Sequence, residues 1–272
     1  MDGGQDASGR RCSGHMTKGW ALITGASSGL GREFARLAAA DGWNLVISAR
    51  RTEELDALAA ELSTDVVVVT ADLSQPGAAD TLWDQASDGR DIDLLVNNAG
   101  IGVHGRFATA GNARERGSVA LNVVAHTELL QRALFDFRER GVRGQVLNVA
   151  SLAAVMPAPS MAIYHASKAY VLSLSDAVHY ECKRDGITVT ALCPGPTRTG
   201  FFDAAGLDKT WLTTVMPMPT ADTVAAAGWR ALKSGKRSVT PGLMPKIIAF
   251  SARLTPRGLL SRMNGFFWGR RN

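Results

Sequence analysis

The chain has 272 residues, of which 46% are hydrophobic and 20% are charged, and its formal net charge is +5. This composition is typical of a globular protein with a substantial core and argues against a disordered or fibrous chain. No run of eighteen apolar residues occurs, so we expect no membrane-spanning helix. The charge is unevenly placed, because residues 1–222 hold 20 basic and 25 acidic side chains, whereas residues 223–272 hold 10 basic and none acidic.

The polar opening segment, residues 1–16, lacks the apolar stretch of a secretory signal and is predicted to be a disordered leader. Met16, at its end, is a candidate natural start. We expect residues 17–272 to form one domain, because the sequence shows no internal repeat and no linker.

The cysteines are odd in number and share no metal-type spacing: Cys12, Cys182 and Cys193. This pattern predicts neither a disulfide framework nor a zinc site. A reducing, cytoplasmic setting is the simplest expectation. The histidines also lack ligand spacing, and we expect them to be surface or core residues, with His165 pointing away from the face of its helix that carries Tyr164.

Short apolar runs alternate with helical patterns along most of the chain. The first units are a strand at 20–25, a helix that stops at Gly42, a strand at 44–49 and a helix opened by Thr52. Further strands are predicted at 66–69, 93–98, 144–150, 187–192 and 237–242, and further helices near 112–139, 161–184 and 221–233. The run VVVV at 66–69 is too apolar for a half-exposed strand, which predicts burial on both faces. This alternation predicts an α/β fold, a single doubly wound Rossmann-type domain with a mostly parallel sheet.

The segment TGASSGLG places Gly25, Gly29 and Gly31 between the first strand and its helix. Glycine allows a tight turn and a close approach of the backbone to a pyrophosphate, and the helix N-terminus then offers N–H groups to the phosphates. An ordinary glycine-rich loop is the alternative. The flanking strand and helix favour a dinucleotide site.

The end of the second strand indicates which dinucleotide binds. It carries Arg50 and Arg51 and no acid, and a guanidinium suits the 2′-phosphate of NADP, whereas an NAD site places an acidic side chain there. We therefore expect NADP(H), the alternative being two solvated loop arginines. Asp72 follows the third strand, where it could accept a hydrogen bond from adenine or cap a turn together with Ser74.

Six segments in this order resemble the short-chain dehydrogenase/reductase family. They are TGASSGLG, NNAG at 97–100, Asn122 in LNVVA, Ser151, YHASK at 164–168 and PGPTRT at 194–199, and they span about Lys18 to Thr199. The gap between Gly25 and Gly29 resembles that of the single-domain oxidoreductase branch with its Tyr-x-x-x-Lys motif. The resemblance implies a seven-stranded sheet, a nicotinamide cofactor and a catalytic set of Asn122, Ser151, Tyr164 and Lys168.

The same resemblance implies a cofactor-binding set, with Asp72 near adenine and Thr199 holding the nicotinamide carboxamide. The set is Gly25, Ser27, Ser28, Gly29, Leu30, Gly31, Arg50, Arg51, Asp72, Leu73, Asn98, Ala99, Gly100, Tyr164, Lys168, Pro194, Gly195, Thr197 and Thr199. Many NADP-preferring relatives carry a basic residue where this chain has Ser28. The NADP prediction therefore depends on Arg50 and Arg51.

The four catalytic residue types suit the reduction of a carbonyl, in which the cofactor gives a hydride and the protein a proton. Tyrosine has an ordinary pKa near ~10, and Lys168, one helical turn after Tyr164, is expected to lower it and to hold the nicotinamide ribose. Ser151 follows a buried strand and would bind the substrate oxygen. In the family, Asn122 would hold a water that relays protons from Lys168. Taken singly, the four residues could instead be a turn cap, a core tyrosine, a solvated lysine and a satisfied buried amide.

Residues 200–219 lie where the family places a substrate lid. Their large apolar side chains predict a roomy pocket for a hydrophobic ketone or aldehyde: Phe201, Phe202, Leu207, Trp211, Leu212, Met216 and Met218. We therefore expect an NADP(H)-dependent short-chain oxidoreductase that interconverts a carbonyl and an alcohol. A non-catalytic NADP-binding partner or regulatory protein is the alternative.

The basic segment 223–272 mixes ten cationic side chains with apolar clusters, which suits peripheral contact with an anionic membrane. Its alternative is a final strand and helix that pack on the sheet with solvated arginines. No nucleic-acid partner is expected, because no binding motif accompanies the charge. The family resemblance suggests a homodimer or homotetramer through the helices near 112–139 and 161–184.

Overall fold

The computed structural model describes residues 19–109, 112–201, 205 and 218–267. The expected leader 1–16, Cys12 and most of the expected lid lie outside the described residues. One seven-stranded sheet has the order β3-β2-β1-β4-β5-β6-β7, and every pairing is parallel. The strands are β1 Trp20–Thr24, β2 Asn44–Ala49, β3 Val66–Thr70, β4 Ile92–Asn97, β5 Gln145–Val149, β6 Thr188–Leu192 and β7 Ser238–Val239. The predicted α/β fold of the Rossmann type is confirmed.

Helices flank the sheet on both faces. They are α1 Gly29–Ala40, α2 Thr52–Glu61, α3 Ala78–Ser87, α4 Asn112–Val119, α5 His126–Arg140, α6 Ala162–Glu181, α7 Ala221–Lys233, α8 Leu243–Leu254 and α9 Arg257–Phe267. A π-helical turn at Ala120–Ala125 joins α4 to α5, so the helix predicted near 112–139 is one path with a local change of pitch. Short 3₁₀ turns cover Leu152–Val155 and Cys182–Asp185.

Two apolar cores form because neighbouring side chains of a strand point to opposite faces of the sheet. In β1, Ile23 joins the core that contains Phe34 of α1 and Trp229 of α7. Leu22 joins the opposite core, which contains Phe137 of α5 and helices α3 and α6. Both cores are fully enclosed at the central strands, so the sheet is a rigid base for the loops at its carboxyl edge.

The prediction that residues 66–69 are buried on both faces is wrong. Among the described strands, β3 is at the edge of the sheet and pairs with β2 alone, and Val66, Val67 and Val68 are partly exposed. Apolarity alone does not reveal strand order, which is a tertiary property. Helix α2 begins at Thr52, as predicted, and Arg51 occupies the cap position. Helices α3, α8 and α9 have no counterpart among the predicted helices.

The strand order reverses between β1 and β4, and this switch point positions the site. From β1 the chain continues to β2 on one side, whereas β4 lies on the other, so the loops after β1 and β4 diverge and leave a crevice. Within the described ranges, no helix is long and apolar enough to cross a membrane. Cys182 and Cys193 are both buried free thiols.

Candidate active site

The glycine turn lies at the start of the crevice. Gly25 and Gly29 have φ values of +68° and +56°, in the left-handed region that favours glycine. Gly31 is buried behind the turn, and a Cβ there would lie 2.6 Å from Asn98 Nδ2 and also collide with the carbonyl of Gly25. Helix α1 begins at Gly29 with Ser28 as its N-cap, whose side chain makes no capping hydrogen bond. The turn therefore brings backbone and helix N–H groups to the crevice, a fit for a pyrophosphate.

A clamp between β1 and β4 holds this turn in place. The backbone N–H groups of Asn98 and Ala99 each donate to Thr24 Oγ1 at 3.0 Å. Asn98 Nδ2 donates to the Thr24 carbonyl at 2.8 Å and to the Gly25 carbonyl at 3.3 Å. The Asn98 side chain thus holds the start of the glycine turn against the end of β4. Thr24 accepts both backbone hydrogen bonds, and this role was not predicted from the sequence. Its position at the end of a buried strand, directly before the glycine turn, could have indicated it.

Gly31→Ala is expected to lower the free energy of unfolding by about 1–3 kcal/mol, the usual cost of overpacking a tight site. The new methyl group would push against Asn98 Nδ2 and the Gly25 carbonyl, so NADPH binding should weaken with it. Urea unfolding and NADPH titration measure the two effects. Gly258→Ala is the matched control, because no atom lies within 4 Å of a Cβ at that position. Equal stability of the two variants would contradict the role assigned to Gly31.

One cleft of about 1000 Å³ contains the predicted site residues, with two exceptions. Gly31 and Asn122 do not line it, because both are buried behind its wall. All the others do: Gly25, Ser27, Ser28, Gly29, Leu30, Arg50, Arg51, Asp72, Leu73, Asn98, Ala99, Gly100, Ser151, Tyr164, Lys168, Pro194, Gly195, Thr197 and Thr199. The cleft therefore joins the glycine turn to the serine, tyrosine and lysine that lie far along the chain.

Two exposed arginines mark one end of the cleft. Arg51 Nη2 donates to Ser27 Oγ at 3.1 Å, which ties the end of β2 to the glycine turn. Arg50 lies near enough to Asp72 for its charge to contribute to lowering the pKa of that carboxyl. The Asp72 carboxylate also accepts from the backbone and hydroxyl of Ser74. Of the two roles considered for Asp72, the structure shows the turn cap, and the carboxylate also faces the cleft.

Ser151 and Tyr164 meet in the middle of the cleft. Ser151 follows β5 and caps the 3₁₀ turn, where its Oγ accepts from Ala153 N at 3.1 Å. Tyr164 is on the first turn of α6, and its hydroxyl is near enough to the Ser151 side chain for Ser151 to act on its pKa. Burial raises the pKa of Tyr164 to about 12, although the Ser151 side chain acts in the opposite direction. The expectation that Lys168 lowers this pKa is wrong for this structure, because desolvation of the phenolate is the largest effect.

Lys168 lies one helical turn further along α6 and is buried. Its Nζ donates to the Val149 carbonyl at 2.7 Å, which fixes the ammonium at the end of β5. A Cβ on Gly100 would be 3.3 Å from this nitrogen, so only glycine leaves Lys168 this close to the cleft. Burial lowers the pKa of Lys168 to about 8, while the nearby Cys193 acts in the opposite direction. The lysine is therefore cationic at neutral pH and titrates just above it.

NADPH binding is expected to weaken by roughly tenfold as the pH rises through about 8, because Lys168 then loses a charge that supports an anionic ligand. The group is protonated below its pKa and neutral above it, so the loss lies on the alkaline side. Fluorescence titration of the full chain at several pH values measures the dissociation constant directly. Lys168→Met should bind more weakly at neutral pH and show no such alkaline step. An alkaline step that persisted in this variant would assign the titration to another group.

Asn122 lies in the π-helical turn and is fully buried. Its Oδ1 accepts from the Ile101 backbone N–H, and its Nδ2 donates to the Ile101 carbonyl, both at 2.9 Å. Nδ2 also donates to Ser118 Oγ and Ser167 Oγ at 3.2 Å. Asn122 thus fixes the chain after NNAG to α6 next to Lys168. π-helical turns are common at functional sites, and this one was not predicted, although asparagine is a poor helix former.

The loop after β6 forms another side of the cleft. The Leu152 N–H donates to the Pro194 carbonyl at 2.8 Å, which joins this loop to the Ser151 turn. Thr197 Oγ1 donates to the Gly195 carbonyl at 2.9 Å. The Thr199 methyl lies 3.1 Å from the position of a Cβ on Gly29, so Thr199 packs against the glycine turn. The predicted loop residues are therefore brought to the start of α1.

An apolar region adjoins Tyr164. The rings of Tyr164 and Phe201 are 5.1 Å apart, and Met161, Ala158 and Ala205 complete the cluster. Of the predicted lid residues, Phe201 and Met218 are described, whereas Phe202, Leu207, Trp211, Leu212 and Met216 lie outside the described ranges. The cleft also has an unpredicted wall made by Ile248, Ala252, Leu260 and Asn264 of α8 and α9.

His165 is a core histidine, as expected, but the direction predicted for its ring is wrong. Its ring is buried, lines the cleft and makes a 2.7 Å hydrogen bond between Nδ1 and the Met156 carbonyl. The 3₁₀ turn folds back over α6 and brings that carbonyl to the ring. His126 is a core histidine, as expected, and burial lowers its pKa to about 3, so its ring is neutral at physiological pH.

A parallel sheet in this order, with a glycine turn at the switch point and a helix N-terminus behind it, defines a Rossmann-type nucleotide-binding protein. The family model described as short chain dehydrogenase matches residues 19–209. The chain belongs to this family of oxidoreductases, and the predicted resemblance is confirmed.

Three similar proteins illustrate the family's range. The 7beta-hydroxysteroid dehydrogenase of Collinsella aerofaciens is 33% identical over 184 residues, which are 66% of this chain and 69% of that protein. A short-chain dehydrogenase from Sphingobium yanoikuyae in complex with NADPH is 31% identical, with a TM-score of 0.77 over 89% of this chain and 94% of that one. A family member from Burkholderia phymatum in complex with NAD is 25% identical, with a TM-score of 0.77 over 88% and 92%. Members of the family thus bind a nicotinamide cofactor, which is NADPH in one of these structures and NAD in the other.

Proposed function

We propose that this protein is an NADP(H)-dependent oxidoreductase that reduces a hydrophobic ketone or aldehyde to the alcohol. The observation that carries the proposal is that Ser151, Tyr164 and Lys168 line the same cleft as the glycine turn. Lys168 is buried one helical turn away with its ammonium fixed on the Val149 carbonyl. These groups meet the geometric requirement for proton transfer beside a bound dinucleotide.

A nicotinamide bound in this cleft would supply the hydride to the carbonyl carbon. The protein's part is to hold and protonate the oxygen. Tyr164 stays protonated at neutral pH because burial raises its pKa to about 12, so its O–H can donate to the developing alkoxide. Ser151 donates a second hydrogen bond to the same oxygen. Lys168, with its ammonium held on the Val149 carbonyl, would lie on the path that returns a proton to Tyr164.

Asn122 has a supporting role in this proposal. Its carboxamide already bonds to Ile101, Ser118 and Ser167, so it positions the chain beside Lys168. A water held next to Lys168 would complete a path for the proton that returns Tyr164 to its neutral form. This is the role expected for Asn122, and the buried location agrees with it.

The choice of NADP(H) is supported by the end of β2. Arg50 and Arg51 are exposed, line the cleft and have no acidic residue directly beside them in sequence. A guanidinium can bind a phosphate through paired N–H donors. Reduction is the favoured direction, because cells keep the NADP pool largely reduced.

The apolar region beside Tyr164 supports a hydrophobic substrate. Phe201, Leu260 and Met263 line the cleft, and Met161 packs in the apolar cluster that contains Tyr164. The cleft is large enough for a substrate beside the dinucleotide. The 7beta-hydroxysteroid dehydrogenase among the relatives is consistent with a bulky polycyclic or aromatic carbonyl. A homo-oligomer through α5 and α6 is also proposed, because Phe135 and Tyr180 are 68% and 64% exposed on those helices.

A carbonyl panel followed by the loss of NADPH absorbance tests the proposed reaction. Turnover of apolar ketones or aldehydes, with little turnover of sugars and small keto acids, is the expected result. Tight NADPH binding without turnover of any member would instead favour the non-catalytic NADP-binding protein. Preference for small polar carbonyls would contradict the assigned substrate class while leaving the chemistry intact.

A further inference from the structure

Helices α8 and α9 carry rows of exposed apolar side chains. In α8, Leu243, Ile247, Phe250 and Leu254 are 52–76% exposed and recur at the spacing of one helix face. In α9, Leu259 and Phe266 lie seven residues apart and are 51% and 69% exposed, and Met263 lies between them at the rim of the cleft. Among the described residues, eight of the fourteen large exposed hydrophobic side chains belong to these two helices. An apolar concentration of this kind indicates an interaction surface.

The charged side chains of the same two helices are all basic. Lys246, Arg253, Arg257 and Arg262 are exposed, and no acidic residue follows Asp222 in the whole sequence. The sequence after α9, WGRRN, adds a tryptophan and two arginines. Apolar rows flanked by cations, without compensating acids, are complementary to a surface that is apolar inside and anionic outside.

The opposite faces of the two helices are committed to the cleft. Ile248 and Ala252 of α8 line it, as do Leu260 and Asn264 of α9. Asn264 Nδ2 donates to the Pro157 carbonyl at 2.8 Å, which ties α9 to the segment before Tyr164. Each helix therefore has one face that lines the cleft and another face that is exposed to solvent.

We propose that α8 and α9 dock on the surface of an anionic lipid bilayer. Leu243, Phe250, Leu254 and their equivalents in α9 would enter the interface, while the arginines pair with lipid phosphates and carboxylates. A spanning helix is not required, because interfacial helices lie parallel to the membrane. A hydrophobic substrate dissolved in the bilayer would then meet the wall of the cleft without crossing water.

A second copy of this chain is the other candidate occupant, and the charges favour lipid. Residues 1–222 carry only a small acidic excess, and several of their carboxylates pair with arginines such as Arg36, Arg140 and Arg237. Exposed apolar side chains for self-association are present on α5 and α6. The bilayer alone combines a continuous anionic surface with an apolar layer directly beneath it.

Co-sedimentation of the full chain with lipid vesicles tests this proposal. Binding to vesicles of phosphatidylcholine mixed with phosphatidylserine is expected, with little binding to phosphatidylcholine alone and a decrease at high salt. Arg253→Glu with Arg257→Glu should weaken partitioning by at least about fivefold for each charge removed. Phe250→Ser with Leu254→Ser should weaken it by about tenfold through loss of apolar insertion.

Phe135→Ser is the matched control, because Phe135 is equally exposed but lies on α5. It should bind vesicles like the unmodified chain. The two double variants change different interactions, and circular dichroism with thermal unfolding verifies that each is folded. Absence of vesicle binding by the unmodified chain would overturn the proposal. So would vesicle binding by both double variants that is as tight as that of the unmodified chain. A fall in mass of the Phe250→Ser, Leu254→Ser variant by light scattering, without vesicle binding by the parent, would assign the surface to a second copy. The assay needs no turnover, so its failure would leave the proposed reaction unaffected.

Discussion

Tyr164→Phe is expected to lower kcat for carbonyl reduction by roughly 10²- to 10⁴-fold, the usual loss when a positioned proton donor is removed. The ring would keep its contact with Phe201, so packing changes little. Only the hydroxyl beside Ser151 disappears. NADPH binding by fluorescence titration should remain near the unmodified value, because no phosphate contact is lost. Steady-state kinetics with the best carbonyl of the panel measures the effect.

Tyr170→Phe is the control for this variant. Tyr170 is on the same helix but 40% exposed, and its hydroxyl is hydrogen-bonded to Thr127 outside the cleft. Its removal should change kcat less than about twofold. A Tyr164→Phe enzyme with normal kcat would remove Tyr164 from the chemistry. Loss of both turnover and NADPH binding would indicate a structural role instead.

Arg50→Ala is expected to raise the KM for NADPH by roughly ten- to a hundredfold and that for NADH much less. A hydrogen bond to a charged phosphate contributes about 1.5–3 kcal/mol, and only NADPH carries the 2′-phosphate. Arg50 is exposed at the end of β2 and lines the cleft, so its truncation leaves the core intact. Initial rates with both cofactors at a saturating carbonyl concentration give the ratio.

Arg184→Ala is the control for surface charge, because Arg184 is exposed in the 3₁₀ turn after α6 and lies outside the cleft. It should leave both KM values unchanged within about twofold. If Arg50→Ala affected NADPH and NADH equally, the reason for choosing NADP would disappear. In that case the double variant with Arg51→Ala would show whether the second arginine carries the phosphate contact.

The parts of the site that depend on local spacing could be predicted from the sequence. Tyr164 and Lys168 are one helical turn apart, and the glycine turn lies between a strand and a helix that are both evident in the sequence. The contact between Ser151 and Tyr164 is different, because it depends on how the 3₁₀ turn packs against α6. The structure provides that contact.

The errors have tertiary causes. The apolar run of β3 indicated burial, but its place at the sheet edge follows from the strand order. The direction of the Tyr164 pKa shift was mistaken, because spacing reveals the nearby lysine but not the extent of burial. The wall formed by α8 and α9 was unpredicted, since amphipathic spacing indicates a helix without naming what its inner face covers.

Helices α8 and α9 wall the cleft on one face and expose apolar rows on the other. Thermodynamic linkage predicts that binding at one face of these helices can affect binding at the other. If a ligand on the outer face binds one position of these helices better than another, it changes the affinity of the cleft by some factor. Filling the cleft must then change the affinity of the outer face by the same factor. Substrate occupancy and surface attachment would thus report on each other through the same pair of helices.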